Sequence, residues 1–310
     1  MRPVSIAHTW RPRDTPISAD SAAVGRFAPS PTGPLHFGSV VAAVASFLAA
    51  RAAGGRWLLR IDDLDPPRTE PGATAAILAT LAALELHWDG PVVYQSERSA
   101  AYRAALADLA RAGATYACAC SRRRVGAGPY PGTCRGLGLA DGAGRTLRVK
   151  VDAVPITFED RVQGAYGQAL ATHCGDFVVR RADGIAAYHL ACVVDDAAAG
   201  VSEVVRGVDL LESTPRQIHL QRLLGLPQPR YAHPATVLDA AGHKLSKQTY
   251  AKPVTPATAP PALYHAVRFL GLDPPASLAG AAPAGLLAWA VPHWRWSALP
   301  ARPRRYDWDA

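Results

Sequence analysis

The run Pro29-Ser30-Pro31-Thr32-Gly33-Pro34-Leu35-His36-Phe37-Gly38-Ser39 contains residue types that can hold an anion. Its three prolines make a rigid crossing that delivers Gly38 and Ser39 to an apolar stretch, Val40 to Ala50, which reads as a helix. Free backbone N–H groups and the dipole at a helix N-terminus favour negative charge, and His36 stands where it can donate to the same anion. Taken alone, His36 is equally an ordinary imidazole in a proline-rich loop. A second cluster lies far along the chain: His243-Lys244-Leu245-Ser246-Lys247-Gln248. Of 33 basic residues only Lys150, Lys244, Lys247 and Lys252 are lysine. In so arginine-biased a composition, two lysines three apart imply that a compact, mobile ammonium is wanted, and phosphate chemistry is one such use. No lysine follows the glycines of a Walker-type loop, and no strand-linked G-x-G-x-x-G occurs. Any nucleotide handling therefore falls to the Pro29–Ser39 turn and the lysine loop.

Two other groupings carry chemistry. Cys118, Cys120 and Cys134 fall within seventeen residues, out of five cysteines in all. An odd number so clustered is not a disulfide framework and fits a reducing cytoplasm. Three thiolates are the soft ligands zinc prefers, although Cys-x-Cys is a weaker signal than paired Cys-x-x-Cys. Cys174 and Cys192 stand in apolar surroundings as buried thiols. Arg122, Arg123, Arg124, Arg135, Arg145 and Arg148 concentrate positive charge, and the chain as a whole carries +8. Nucleic-acid phosphates are a natural target, and a solvated arginine face is the alternative.

These residues need elements to place them. Ala22 to Val24 reads as a strand, and the helix after it should stop at Gly54-Gly55. Trp57-Leu58-Leu59-Arg60-Ile61 is a buried strand, followed by Asp62 and Asp63 where open α/β sheets place ligands, or where turn chemistry wants aspartate. Ile77, Leu78, Leu81, Ala82 and Leu84 trace a helical face. Val92-Val93-Tyr94 is a strand, and Ser96 should cap a helix running to Gly113. This alternation predicts an α/β fold with a doubly wound parallel sheet. It breaks between Tyr116 and Gly175, read as an insertion. It resumes with Phe177 to Arg180, a turn at Asp183-Gly184 and Ala186 to Leu190. Val204-Val205-Arg206 reads as a strand, and Thr214-Pro215 opens a helix ending at Gly225. The last 62 residues, rich in proline and alanine, predict a small helical appendage and a mobile tail.

The division expected is a loose extension over 1–21, the two halves of the main domain over 22–117 and 176–243, the insertion over 118–175, and the lysine loop with its appendage over 244–310. An apolar content of 49% and a charged content of 19% describe a folded globular chain. No window approaches eighteen uninterrupted apolar residues and residues 1–21 lack a secretory core, so a cytoplasmic protein is expected. A monomer is expected as well.

Pro29 to Ser39 resembles the HIGH signature of class I aminoacyl-tRNA synthetases, and Lys244 to Gln248 resembles their KMSKS loop. Arg26-Phe27-Ala28-Pro29-Ser30-Pro31-Thr32-Gly33 is similar to the glutamyl branch, and from about Gly25 to Gln248 the chain resembles its short paralogues, the glutamyl-Q tRNA(Asp) synthetases. The departures are Ser39 where the signature has histidine, Leu245 and Gln248 in the loop, and Asp62 where the family usually has glutamate.

The resemblance implies a Rossmann-like catalytic domain that joins ATP, with its Mg2+, to L-glutamate. Pro29, His36, Gly38, Ser39 and Lys247 would hold ATP. His36, Lys244 and Lys247 would be catalytic, steadying the reacting phosphate and the charge growing on pyrophosphate. Arg26, Ser30, Asp62, Tyr188 and Arg206 would line the glutamate pocket. Cys118, Cys120, Tyr130 and Cys134 would hold one structural zinc, with the phenol oxygen as fourth ligand. Glutamate would then pass to queuosine at the wobble position of tRNA(Asp), the anticodon arm being the RNA partner. A synthetase that charges an acceptor end, a non-catalytic RNA-binding paralogue and a small-molecule nucleotidyltransferase are the competing readings. The second would have lost His36 or Lys247, and both are intact; the third would need neither the metal-bearing insertion nor the glutamate pocket.

Overall fold

Strand β1 (Val24–Phe27) and helix α1 (Phe37–Ala52) set the frame of the computed structural model, which describes residues 22–239, 241–245 and 252–308. The expected extension over residues 1–21 and the lysine loop from Ser246 to Gln248, Lys247 included, lie outside the described residues. α1 is apolar nearly all round and buried from Val40 to Ala50 except for Ala42, as a helix covered on two sides must be. It ends where Gly54 turns at φ +61 and Gly55 crosses so close to Ala23 that a Cβ would lie 1.9 Å from its carbonyl oxygen.

β2 (Arg56–Ile61), α2 (Ala73–Ala83), β3 (Val93–Tyr94) and α3 (Ser99–Arg111) follow. β1, β2 and β3 are parallel neighbours, with Val24 opposite Arg56 and Arg60 opposite Val93. The chain then runs through β4 (Thr115–Cys118), α4 (Arg122–Val125), β5 (Thr146–Val149), β6 (Ile156–Asp160), β7 (Gly164–Gln168), α5 (Leu170–His173) and β8 (Phe177–Arg180). β4, β5 and β8 form a separate antiparallel sheet. The β6–β7 hairpin, which falls inside the expected insertion, instead extends the main sheet by pairing parallel with β10.

α6 (Tyr188–Ala198), β9 (Glu203–Val205), α7 (Thr214–Leu224) and β10 (Arg230–Ala232) complete the second half. β9 and β10 are parallel. β9 is seamed to β1 where Ser202 N–H donates to Val24 O at 3.0 Å and Val24 N–H donates to Ser202 Oγ at 2.9 Å. Strands therefore spread outward in both directions from the β1/β9 seam, the switch point at which such sheets bind ligands beyond their carboxyl ends. β11 (Val237–Leu238), α8 (Ala259–Phe269), α9 (Pro283–His293) and β12 (Arg304–Arg305) close the chain. One core gathers α1, α2, α8 and α9 over the first half, and a second gathers α3, α6 and α7 over the antiparallel sheet.

Three local expectations change. Ser96 does not cap α3: its hydroxyl donates to Asp63 at 2.7 Å, and a 3-10 turn over Gln95–Arg98 precedes the helix. Ala186 to Leu190 is not a strand. Only Ala186 bridges Arg180, and Tyr188 already opens α6, because the apolar positions from Leu190 onward serve a helical face. The tail is held: β12 pairs in parallel with β11, and Tyr306 and Trp308 stack on Phe37 at 5.7 and 5.3 Å.

Candidate active site

A cavity of about 410 Å3 opens at the carboxyl ends of β1, β2 and β9. Arg26 comes to it from β1, Asp62 from just past β2, Tyr188 and Cys192 from the first turns of α6, and Arg206 from just past β9. Pro29 and Ser30 form its wall, where Asp62 N–H donates to Pro29 O at 3.0 Å and ties the two strand ends together. Arg26 and Arg206 are only 5% and 6% exposed, so each must be matched by polar partners.

Two residues that the sequence reading did not single out organise this floor. Asp196, on α6, accepts from Arg26 Nε at 3.3 Å and from Arg60 Nη1 at 2.5 Å. Arg60 Nε also donates to Asp62 Oδ1 at 2.6 Å. Burial opposes both carboxylates, but Arg26 and Arg60 together hold Asp196 below its ordinary range. Burial wins at Asp62 and lifts it, despite Arg60. A cation arriving beside Asp62 would pull it back down. The Cys192 thiol, buried next to these acids, is pushed up to about 12 and is therefore no thiolate. Signals for this floor were present: an arginine inside an apolar strand, and the acidic pair Asp195-Asp196 inside an apolar helix, need internal partners.

Arg206 is held from behind. Its Nε donates to His233 Nε2 at 3.0 Å and its Nη2 to Thr214 Oγ1 at 2.9 Å. Its Nη1 makes no hydrogen bond among the described residues. Among the described residues, Arg26 likewise hydrogen-bonds through Nε alone.

His36 serves first as the cap of its own helix, with Nδ1 accepting from Ser39 N–H at 3.2 Å and Nε2 within 3.1 Å of Ser39 Oγ. The described residues on either side of 246–248 come to the same spot. Leu245 N–H donates to Val237 O at 3.0 Å, and a Cβ on Gly38 would lie 3.7 Å from Leu245 O. On the return, Pro253 bridges His36 and Val254 N–H donates to Leu35 O at 2.7 Å. Lys244 reaches the cavity wall, its Nζ 2.6 Å from Asp209 Oδ2.

Cys118, Cys120 and Cys134 place their sulfurs within 4.8 Å of one another, a set that could hold a metal. Tyr130, 4% exposed, puts its phenol oxygen 3.3 Å from Cys118 Sγ and 3.7 Å from Cys120 Sγ, and Cys120 and Cys134 sulfurs are 3.6 Å apart. Ligands about 2.0–2.3 Å from a tetrahedral centre stand roughly 3.3–3.8 Å from one another, so these three edges fit. Burial pushes Cys118 up, yet bonds from Tyr130, Cys120 N–H and Arg148 bring it down to about 6, near the thiolate that a metal requires.

The arginines expected to face RNA divide. Arg123 and Arg124 are exposed. Arg148 is 8% exposed, donates to Cys118 Sγ at 3.3 Å and lies 3.8 Å over the Tyr130 ring. Arg135 pairs with buried Asp176, and Arg145 donates to Ala140 O.

The sequence profile of the tRNA synthetases class I (E and Q), catalytic domain, matches residues 23–127 and 137–262. The glutamyl-Q tRNA(Asp) synthetase of Pseudomonas fluorescens is 52% identical over 285 residues, covering 91% of this chain and 95% of that protein. That of Thiobacillus denitrificans is 54% identical over 291 residues, covering 91% and 97%. The fold matches a crystal structure of a glutamate tRNA ligase from Elizabethkingia meningosepticum at TM-score 0.79 and 24% identity, over 93% of this chain and 67% of that one. The strand-end cavity, the histidine-capped first helix and the returning lysine loop thus lie within a match that spans most of the chain, and this chain belongs to the class I glutamyl- and glutaminyl-tRNA synthetase family, among its glutamyl-Q tRNA(Asp) synthetases.

Proposed function

We propose that this cleft joins L-glutamate to the α-phosphate of ATP, releasing pyrophosphate, and passes the glutamyl group to queuosine at the wobble position of tRNA(Asp). The observation that carries it is that one cavity is lined by Arg26, Asp62 and Arg206 together with His36, Ser39 and Lys244. Two guanidinium groups with terminal nitrogens that make no hydrogen bond among the described residues suit the two carboxylates of glutamate, and Asp62 suits its ammonium. Attack of an anionic carboxylate on a phosphate asks for placement and charge stabilisation rather than a protein nucleophile. Pro29, Gly38, Ser39 and His36 would seat the nucleotide and its Mg2+, with Lys247 and Lys244 neutralising the leaving pyrophosphate. For Lys244 that means exchanging Asp209 for phosphate. The choice of queuosine in tRNA(Asp) rests on the names of the relatives.

Cys118, Cys120, Tyr130 and Cys134 would hold one zinc that supplies cross-linking, not chemistry, to a segment with little core of its own. Among the described residues no helix is long and apolar enough to cross a membrane. We place the enzyme in the cytoplasm as a monomer.

Pyrophosphate exchange with glutamate and no tRNA tests activation, and the fate of labelled glutamate tests transfer. Label is expected on queuosine-containing tRNA(Asp) and absent from the same tRNA lacking the modification. Label at the acceptor end would replace this reading with ordinary charging, and exchange that prefers glutamine would end it.

A further inference from the structure

Behind Arg206 lies a pair whose side chains are both 0% exposed: His233 Nδ1 and Asp160 Oδ2 are 2.5 Å apart. The protonation of this pair follows from its neighbours. Arg206 Nε can only donate, so His233 Nε2, 3.0 Å away, accepts. The imidazole is then neutral with its proton on Nδ1, donated to Asp160. Asp160 in turn is clamped, since its Oδ1 accepts from the backbone N–H groups of Val162 and Gln163, each at 2.9 Å, and of His233 at 3.1 Å.

We propose that Asp160 and His233 are positioning residues for substrate binding: the carboxylate fixes the imidazole tautomer, and that tautomer holds the Arg206 guanidinium in the orientation that meets a substrate carboxylate. The inference rests on the glutamate reading of Arg206 and goes one layer deeper. Burial holds His233 in the neutral form against the pull of Asp160, and nearby Arg206 works in the same direction. The geometry gives Asp160→Asn an unusual consequence. Three backbone donors would keep the amide oxygen at the Oδ1 position, so the amide NH2 would face His233 Nδ1. The ring proton would move to Nε2, and two N–H groups, from His233 and Arg206, would then point at each other.

Nitrogen-15 NMR of histidine-labelled wild-type protein, with the His233 signal assigned by its loss in His233→Gln, should show a neutral ring protonated on Nδ1. A proton on Nε2, or on both nitrogens, overturns the proposal without any need for Asp160→Asn to fold. In pyrophosphate exchange, Asp160→Asn should raise the glutamate KM about tenfold, the scale of one charge-assisted hydrogen bond, while leaving the ATP KM unchanged. An equal loss for both substrates would make the pair merely structural. Arg206→Lys separates the two layers. If it raises the glutamate KM and Asp160→Asn does not, the positioning role alone fails. If neither moves that KM, the glutamate reading fails and takes the inference with it.

Discussion

Asp196 answers two arginines with one carboxylate: Arg60 Nη1 donates to Oδ1, and Arg26 Nε lies 3.3 Å from both oxygens. Removing it in Asp196→Ala leaves Arg26 without its carboxylate and Arg60 with Asp62 alone in the floor of the cleft. Breaking a buried pair in this way costs about 3–5 kcal/mol, which urea denaturation should register, and glutamate exchange should fall with it as Arg26 loses its anchor. An unchanged midpoint would mean that water replaces the carboxylate. Arg206→Ala differs in kind, since on the proposed reading it removes a group that meets substrate. The expected loss is roughly 1.5–3 kcal/mol in binding, read as a ten- to hundredfold rise in glutamate KM with ATP little affected. The resemblance nominated Arg26 and Arg206 for a pocket, and both line the cavity. The sequence hid Asp196, Arg60 and His233, because their roles come from partners 136, 170 and 27 residues away, and no local spacing records such distances.

Helix α6 shows an element whose identity was legible only in part. Its apolar positions could be read as strand or helix over a few residues, and the turn at Asp183-Gly184 favoured the wrong choice. The helix carries His189, whose ring sits edge-on to Phe177 with Nδ1 buried and without a hydrogen bond among the described residues. Burial, with Arg216 and Arg206 adding to it, drives this imidazole down to about 3. Unfolded chain takes up the proton below about pH 6.5, whereas the folded chain refuses it. Stability is therefore full above that pH and lost as pH falls towards 3, by up to about 2 kcal/mol at pH 5. Denaturation of His189→Leu at pH 7 and pH 5 should show a smaller difference than wild type, and an identical difference would sink the assignment. The antiparallel β4–β5–β8 sheet offers the matching test for metal. Dialysis against a strong chelator should remove about one zinc per chain and loosen amide protection around Cys118–Cys134 first, leaving α1 and the main sheet protected. A protein isolated metal-free with that protection intact would refute the site.

At the scale of the whole molecule, the parallel sheet and its switch point were legible because alternating strand and helix patterns leave few topologies. The boundaries of the insertion were not, since β6 and β7 are short strands and the parallel partner of β6, β10, arrives some seventy residues later. The fate of the tail was also hidden. Aromatic residues near the end of the chain do not announce where they dock, and these stack on Phe37 while β12 pairs with β11. Deleting residues 304–310 should cost about 1–3 kcal/mol, two aromatic pairs' worth, and should slow pyrophosphate exchange, because Phe37 is the first residue of α1. Normal exchange in a shortened chain of lowered stability would show the docking to be purely structural.

Tyr306 and Trp308 therefore put the carboxyl-terminal region against the residue that follows His36. A purification tag appended there, or a surface to which the protein is tethered by that end, would tug on the stack. Rates recorded from such a preparation would report the attachment as much as the chemistry.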